Sequence, residues 1–229
     1  MTIIARDCPL RKPVLSGGGL QMTYLVSDIY GNEGLFERVK KEIGFSQKDY
    51  LFLLGNSIDY GADSVSLLVG LSYEMNIWPV AGERELLARE MLSGFESSLS
   101  EGKTLGAEFV SKMRAWVADG GEATFSDFRE LDSEMREGVL DYLAEMPTCE
   151  TVSVGNKNYL LISNESSFDP GELPDDYKKE GYVTVIGHPE DPSAGIVFEG
   201  DRICLGSCGE KGSSVSVLRL DDMKGFLVK

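Results

Sequence analysis

Apolar positions along the chain fall into two alternating periods. Thr23 to Val26, Tyr50 to Leu54 and Ile77 to Val80 are short, almost wholly apolar runs. Such runs are expected of strands buried on both faces. Between them, Asn32 to Glu42 sets Leu35, Phe36, Val39 and Ile43 at helical spacing. Ser64 to Met75 and Glu83 to Met91 read as two further helices. Strand and helix in alternation predict a parallel sheet with helical crossovers.

The pattern then changes. Thr104 to Ala118 and Ser133 to Met146 are amphipathic and helical, with Asp132 as a cap for the second and Pro147 as its stop. Gly120-Gly121 breaks the chain between them. From Thr148 onward the chain is strand-rich. Thr148 to Val154 and Tyr159 to Ser163 flank a Gly155-Asn156 turn, a hairpin signal. Tyr182 to Ile186, Gly195 to Phe198, Arg202 to Leu205 and Val215 to Leu220 complete a β-rich last third.

Residues 1–21 differ from the rest. Ser16-Gly17-Gly18-Gly19 reads as a flexible spacer, and the first strand follows directly after Met22. The expected layout is a flexible N-terminal extension over 1–21 and one domain over 22–229.

Composition narrows the function classes. The 229 residues are 42% hydrophobic and 26% charged, ordinary for a globular chain. The formal charge of −16 argues against a general nucleic-acid binder, which needs a basic face for phosphates. No apolar run reaches the ~20 residues of a membrane helix, and Arg6, Asp7, Arg11 and Lys12 interrupt any leader-like stretch. The expectation is a cytoplasmic protein that binds neither nucleic acid nor membrane. Cys204 and Cys208 stand four apart without two further soft ligands nearby, so they read as a strand residue and a turn residue rather than a zinc pair.

In strand–helix folds, ligands sit beyond the carboxyl ends of the strands. The loops at those ends are Ser27-Asp28-Ile29-Tyr30-Gly31, Gly55-Asn56-Ser57-Ile58-Asp59-Tyr60-Gly61, Gly82-Glu83-Arg84-Glu85, Ile162-Ser163-Asn164-Glu165 and Gly187-His188-Pro189. In order and spacing they resemble the five metal-binding motifs of the calcineurin-like metallophosphoesterases. Trp116 to Thr124 is similar to a segment of the bacterial serine/threonine phosphatase-like branch. The resemblance runs from about Met22 to Leu220. It implies a four-layer α/β/β/α sandwich, and an activity in which two divalent ions (Mn, Mg, Fe or Zn) clamp a phosphate ester and supply a hydroxide.

The residues at those motif positions depart from the family. Asp28 and His188 match metal ligands, and His188 is the only histidine in the chain. Tyr30 stands where a histidine ligand is expected, Asn56 replaces the bridging aspartate, Glu83 replaces an asparagine and Ser163 replaces a later histidine. Arg84 takes the place of the catalytic histidine, and Tyr60 that of the phosphate-holding arginine. Asp28, Asn56 and His188 are thus remnant metal positions, and Arg84 and Asp59 occupy the positions of the catalytic dyad.

Several expectations follow. Arg84 pairs with Asp59, its guanidinium partly replacing the lost metal charge. Asp28 bonds nearby backbone N–H groups. Glu83 and Glu85 are either first-turn residues favoured by the helix dipole, or join Asp28 and Asn56 around a single Mg or Ca ion. Asp169, Glu172, Asp175 and Asp176 read as a solvated loop. Two functional readings stand. In one, the chain is a catalytically degenerate phosphoesterase homologue with no cofactor, a pseudophosphatase that binds a protein or a small phosphorylated ligand. In the other, it is an active phosphoric-ester hydrolase with an altered or single-metal site.

Overall fold

The computed structural model describes residues 21–102, 104–169, 181–207, 211 and 213–229. The proposed 1–21 extension lies outside them save for residue 21, as do Cys208 and the acidic residues Glu172, Asp175 and Asp176.

Two five-stranded mixed sheets stack face to face. The first has the order β10-β9-β1-β2-β3. Strands β1 (Thr23–Val26), β2 (Tyr50–Leu54) and β3 (Ile77–Val80) pair in parallel, with β3 at the edge. Strand β9 (Val215–Arg219) runs antiparallel to β1, and β10 (Lys224–Val228) antiparallel to β9. The second sheet has the order β4-β5-β6-β8-β7. It comprises β4 (Cys149–Val154), β5 (Lys157–Ile162), β6 (Val183–Ile186), β7 (Ile196–Glu199) and β8 (Arg202–Leu205). Strands β5, β6 and β8 are parallel.

Side chains alternate across each strand, so every central strand feeds two cores. Leu25, Phe52, Leu54 and Val80 face Val152, Leu161, Val185 and Ile203 of the second sheet. Tyr24, Val26, Leu51 and Leu53 turn the other way, onto Leu35, Phe36 and Val39 of α1 (Glu33–Glu42) and Leu67 and Leu71 of α2 (Ser64–Ser72). Helix α1 starts where Asn32 accepts the Leu35 N–H at 2.8 Å, an N-cap. On the outer face of the second sheet, among the described residues, Phe168 and Tyr182 pack on Cys149, Leu160, Ile162 and Ile186.

The middle of the chain forms a helical cluster. Helix α3 runs from Glu83 to Glu101, well past the Met91 expected from its pattern, and ends at Gly102 with φ 63°. Helix α4 (Ala107–Trp116) ends before the Gly120-Gly121 pair, and the chain breaks there as expected, with Asp119 (φ −100°, ψ 43°) and Gly120 (φ 95°) off helical geometry. A kinked turn over Val117–Gly121 carries the chain into α5 (Glu122–Glu130), which the sequence pattern did not announce. Helix α6 (Ser133–Glu145) follows, capped by Asp132 as expected. Met91, Leu92, Trp116, Phe128 and Leu143 share one buried cluster with Ile58 and Leu68. That cluster fixes α4 and α5 against the loop after β2.

Candidate functional site

Strands β1, β2 and β3 are parallel, so the loops at their carboxyl ends gather at one edge of the first sheet. Backbone hydrogen bonds lock these loops to one another. Tyr30 N–H donates to Asn56 O at 2.9 Å, and Gly31 N–H to Ser57 O at 2.7 Å. The ends of β5 and β6 are joined by Gly187 N–H to Ile162 O (2.9 Å) and His188 N–H to Ser163 O (2.7 Å). Ser27 Oγ donates to Gly187 O, tying the second sheet to the first. At Gly187 a Cβ would lie 2.3 Å from Leu54 O, so only glycine permits this approach.

The loops are held in unfavourable backbone conformations. Asp28, Tyr30, Asn56, Asp59 and Tyr60 all have φ between 50° and 69°. Asp and Asn tolerate that region, but for a bulky tyrosine it is strained. Strain of this kind survives where surrounding contacts over-determine it, as they do at many functional sites.

Two buried aspartates organise the site. Asp28 is fully buried. Its carboxylate accepts from Asn56 Nδ2 at 3.0 Å, and His188 Nδ1 lies 3.0 Å from both its oxygens. These donors are side chains from neighbouring loops, a correction to the expected backbone N–H groups. A backbone-only role was the bland expectation because strand-end carboxylates commonly take it. Here two loops lend side chains instead. The bond to Asp28 raises the pKa of His188 above its ordinary value, against the opposing effect of burial, with Glu83 adding to the rise and Lys211 opposing it. Burial, and then the Asp28 charge, push the Tyr30 phenol up, so it stays protonated.

Asp59 is the second, also fully buried. Arg84 donates to its Oδ2 through Nε at 2.8 Å, and Nη2 lies in ion-pair contact with the same oxygen at 2.7 Å. Trp116 Nε1 adds a bond at 2.9 Å, and Thr124 Oγ1 donates to Oδ1 at 2.7 Å. Burial raises the Asp59 carboxyl, and Thr124, Trp116 and Arg84 each pull it back down. The far side of the guanidinium reaches Asp119 in the kinked turn, at 2.9 Å to Oδ2 and 2.6 Å to the carbonyl. The expected Asp59–Arg84 pair is therefore present and extends into the helical cluster. Tyr60 completes it. Its N–H donates to Gly120 O at 2.7 Å, and its ring lies against Gly120, whose φ is 95°.

Glu85 does not turn to Asp28. It is buried, and takes the N–H groups of Gly82 (2.8 Å), Asn56 (3.0 Å) and Ser57 (2.6 Å). Burial raises its carboxyl, and those N–H groups act in the other direction. Glu83 is exposed and accepts from Ser166 Oγ at 2.8 Å. The expected alternative of an oxygen-rich site joining Glu83, Glu85, Asp28 and Asn56 is thus corrected: Glu85 is spent on clamping two loops together. Ser163 is fully buried, its hydroxyl without a hydrogen-bond partner among the described residues, wedged where a Cβ on Gly55 or Gly82 would be. Sequence reasoning missed Glu85 as a clamp and Asp119 as a guanidinium partner. The Gly82-x-x-Glu85 spacing of a capping box was a usable signal for the first.

No family model and no curated protein matches the sequence. Solved structures do. A putative diadenosine tetraphosphatase superposes with TM-score 0.59 over 93% of this chain and 95% of its own, at 14% identity. A protein serine/threonine phosphatase from Saccharomyces cerevisiae, with similarity to human phosphatase PP5, gives 0.53 over 90% of this chain and 78% of its own, at 11% identity. The chain has the calcineurin-like metallophosphoesterase fold. A hypothetical protein of Pyrococcus horikoshii shares the fold at TM-score 0.54 and 13% identity, over 92% of this chain and 88% of its own.

In that fold, phosphoesterase chemistry calls for two divalent ions with a shared anionic ligand. The residues present here do not fit such a pair. Position 56 supplies a neutral amide, and its NH₂ faces Asp28. Tyr30 is a protonated phenol, and the Arg84 guanidinium brings a fixed positive charge to the same loops. Among the described residues, no three His, Cys, Asp or Glu side chains converge to hold a metal ion. Among the same residues, no helix is long and apolar enough to cross a membrane.

Proposed function

We propose that this chain is a catalytically degenerate phosphoesterase homologue, a pseudophosphatase that serves as a binding or regulatory module. The observation that carries this reading is Arg84. Its guanidinium stands in the position of the family's proton donor, paired with buried Asp59. A guanidinium stays protonated near neutral pH and cannot shuttle a proton. General acid catalysis needs a group that titrates near the working pH. Tyr60, in place of the phosphate-holding arginine, removes the bidentate fork that such a site uses. Its ring instead takes the Arg84 guanidinium, 4.8 Å from the ring centre.

A second reading has one observation in its favour. Asp28, Asn56 and His188 converge within hydrogen-bond distance. That trio is the nucleus of an altered, single-metal hydrolase site. One assay separates the two readings: hydrolysis of phosphomonoester and dinucleoside polyphosphate substrates in excess Mn. The pseudophosphatase reading expects no turnover above that of Asp28→Ala. Turnover in the parent chain that Asp28→Ala abolishes would establish the hydrolase instead.

A further inference from the structure

Tyr30 and Tyr60 end two neighbouring loops with their rings at right angles. The centroids are 5.3 Å apart and the planes meet at 89°. The ammonium of Lys211 rests in this corner, 3.7 Å from the Tyr60 ring centre and 5.8 Å from that of Tyr30. An open pocket of about 280 Å³ adjoins it, lined by both rings, Lys211 and Asp63. Aromatic faces carry negative electrostatic potential, so a cation within ~6 Å of a ring centre is attracted, and paired rings are a known way to hold quaternary ammonium groups.

The surrounding charge favours the same class of ligand. Asp63 lines the pocket, Asp119 accepts the Tyr60 hydroxyl at 3.2 Å, and the chain as a whole carries −16. Arg84 also lies against the Tyr60 ring, but Asp59 and Asp119 engage its charge. Where the family resemblance implies an arginine holding an anion, this chain sets an aromatic ring with a cation on it. We propose that the Tyr30–Tyr60 corner is a recognition site for an ammonium group, which Lys211 fills in the free protein. A ligand ammonium enters by displacing Lys211. The ligand is therefore an amine, primary or quaternary, carried either by a small molecule or by a lysine-type side chain. This inference rests on the reading of the site as a binding module and deepens it. Its test is separable, because amine binding is measured without reference to phosphoester turnover.

The experiment is an NMR titration of the full chain, following the Tyr30 and Tyr60 ring resonances. The probes are choline and a short peptide carrying trimethyllysine, against sodium chloride at equal ionic strength. The expected result is saturable movement of both rings with an amine probe and none with sodium. Lys211→Ala, which removes the internal competitor, binds about threefold tighter, the factor that matches a solvent-exposed cation–π contact. Tyr60→Phe keeps the ring and keeps binding, whereas Tyr60→Leu loses it. Tighter binding of the peptide assigns the amine to a protein partner, and tighter binding of choline assigns it to a small molecule. The proposal is overturned if neither probe moves the rings in Lys211→Ala, or if Tyr60→Leu binds as well as Tyr60→Phe.

Discussion

Replacing Arg84 by methionine isolates the ion pair at the centre of the site. The Asp59 carboxylate is fully buried and accepts three hydrogen bonds, one of them from Arg84, whose Nη2 makes a further ion-pair contact. Methionine keeps much of the arginine volume but none of its donors. Asp59 then retains only Trp116 Nε1 and Thr124 Oγ1, with no countercharge. Removing one partner of a buried pair costs about 3–5 kcal/mol. For a domain of this size, each kcal/mol lowers Tm by about 2–4 °C, so Arg84→Met should melt ~6–20 °C lower. The loss depends on pH. The Asp59 carboxyl is already raised by burial, and Arg84 is one of the groups holding it down. Without Arg84 it rises further. A carboxyl raised in the fold contributes stability below its unfolded value, near 3.9. That contribution disappears as pH climbs through the folded value. The variant's deficit should therefore shrink on acidification from pH 7 towards 5. Asp59→Asn in the same background should recover stability, because no unpaired charge remains. Urea melts of the parent, the single variant and the double variant across that pH range measure all three effects. A cost of Arg84→Met below about 1 kcal/mol, equal at both pH values, would refute the reasoning.

Glu85→Gln leaves one of three buried N–H groups without an acceptor, since an amide offers a single oxygen; a loss of about 1–3 kcal/mol is expected in urea unfolding. Gly120→Ala places a Cβ 2.5 Å from the Tyr60 ring at a φ of 95°, and should cost about 1–3 kcal/mol from the overlap alone. Gly155→Ala, at φ 61° with nothing within 4 Å, should cost less by the same measurement. His188 gives a single histidine resonance, whose titration midpoint is expected above the ordinary 6.5 and lower in Asp28→Asn. Because that value is raised in the fold, the stability His188 lends is complete below about pH 6.5 and is lost as pH rises through the folded value. A flat pH dependence of stability between 6 and 9, unchanged by His188→Gln, would contradict it.

The regular parts of the fold were legible because single residue types decide them. Tyr50 to Leu54 is a strand because both faces are buried, and Asn32 and Asp132 start helices through their side-chain oxygens. The Gly155 turn closes the β4–β5 hairpin as expected. Helix α5 was not legible. Gly120-Gly121 reads as a break and is one, but the helix that resumes directly after it at Glu122 is fixed by tertiary contacts. A Cβ on Gly120 would meet Tyr60, and one on Gly121 would meet Trp116. Strand β10 escaped notice because Lys224-Gly225 weakens its pattern, while pairing with β9 decides it. At the site, Asp59 and Arg84 could be paired from motif positions alone. Asp119 could not, since its role depends on a turn conformation, φ −100° and ψ 43°, which no local residue announces. Lys211 was equally hidden. Its contact with Tyr60 joins positions far apart in sequence.

Elemental analysis of the full chain, dialysed to equilibrium against excess Mn or Zn and then against buffer, tests the central claim most directly. If Asn56, Tyr30 and Arg84 have replaced a two-metal centre with hydrogen bonds and ion pairs supplied by the protein itself, bound metal should stay well below one ion per chain. Two ions per chain, retained by the parent and lost in Asp28→Ala, would contradict it.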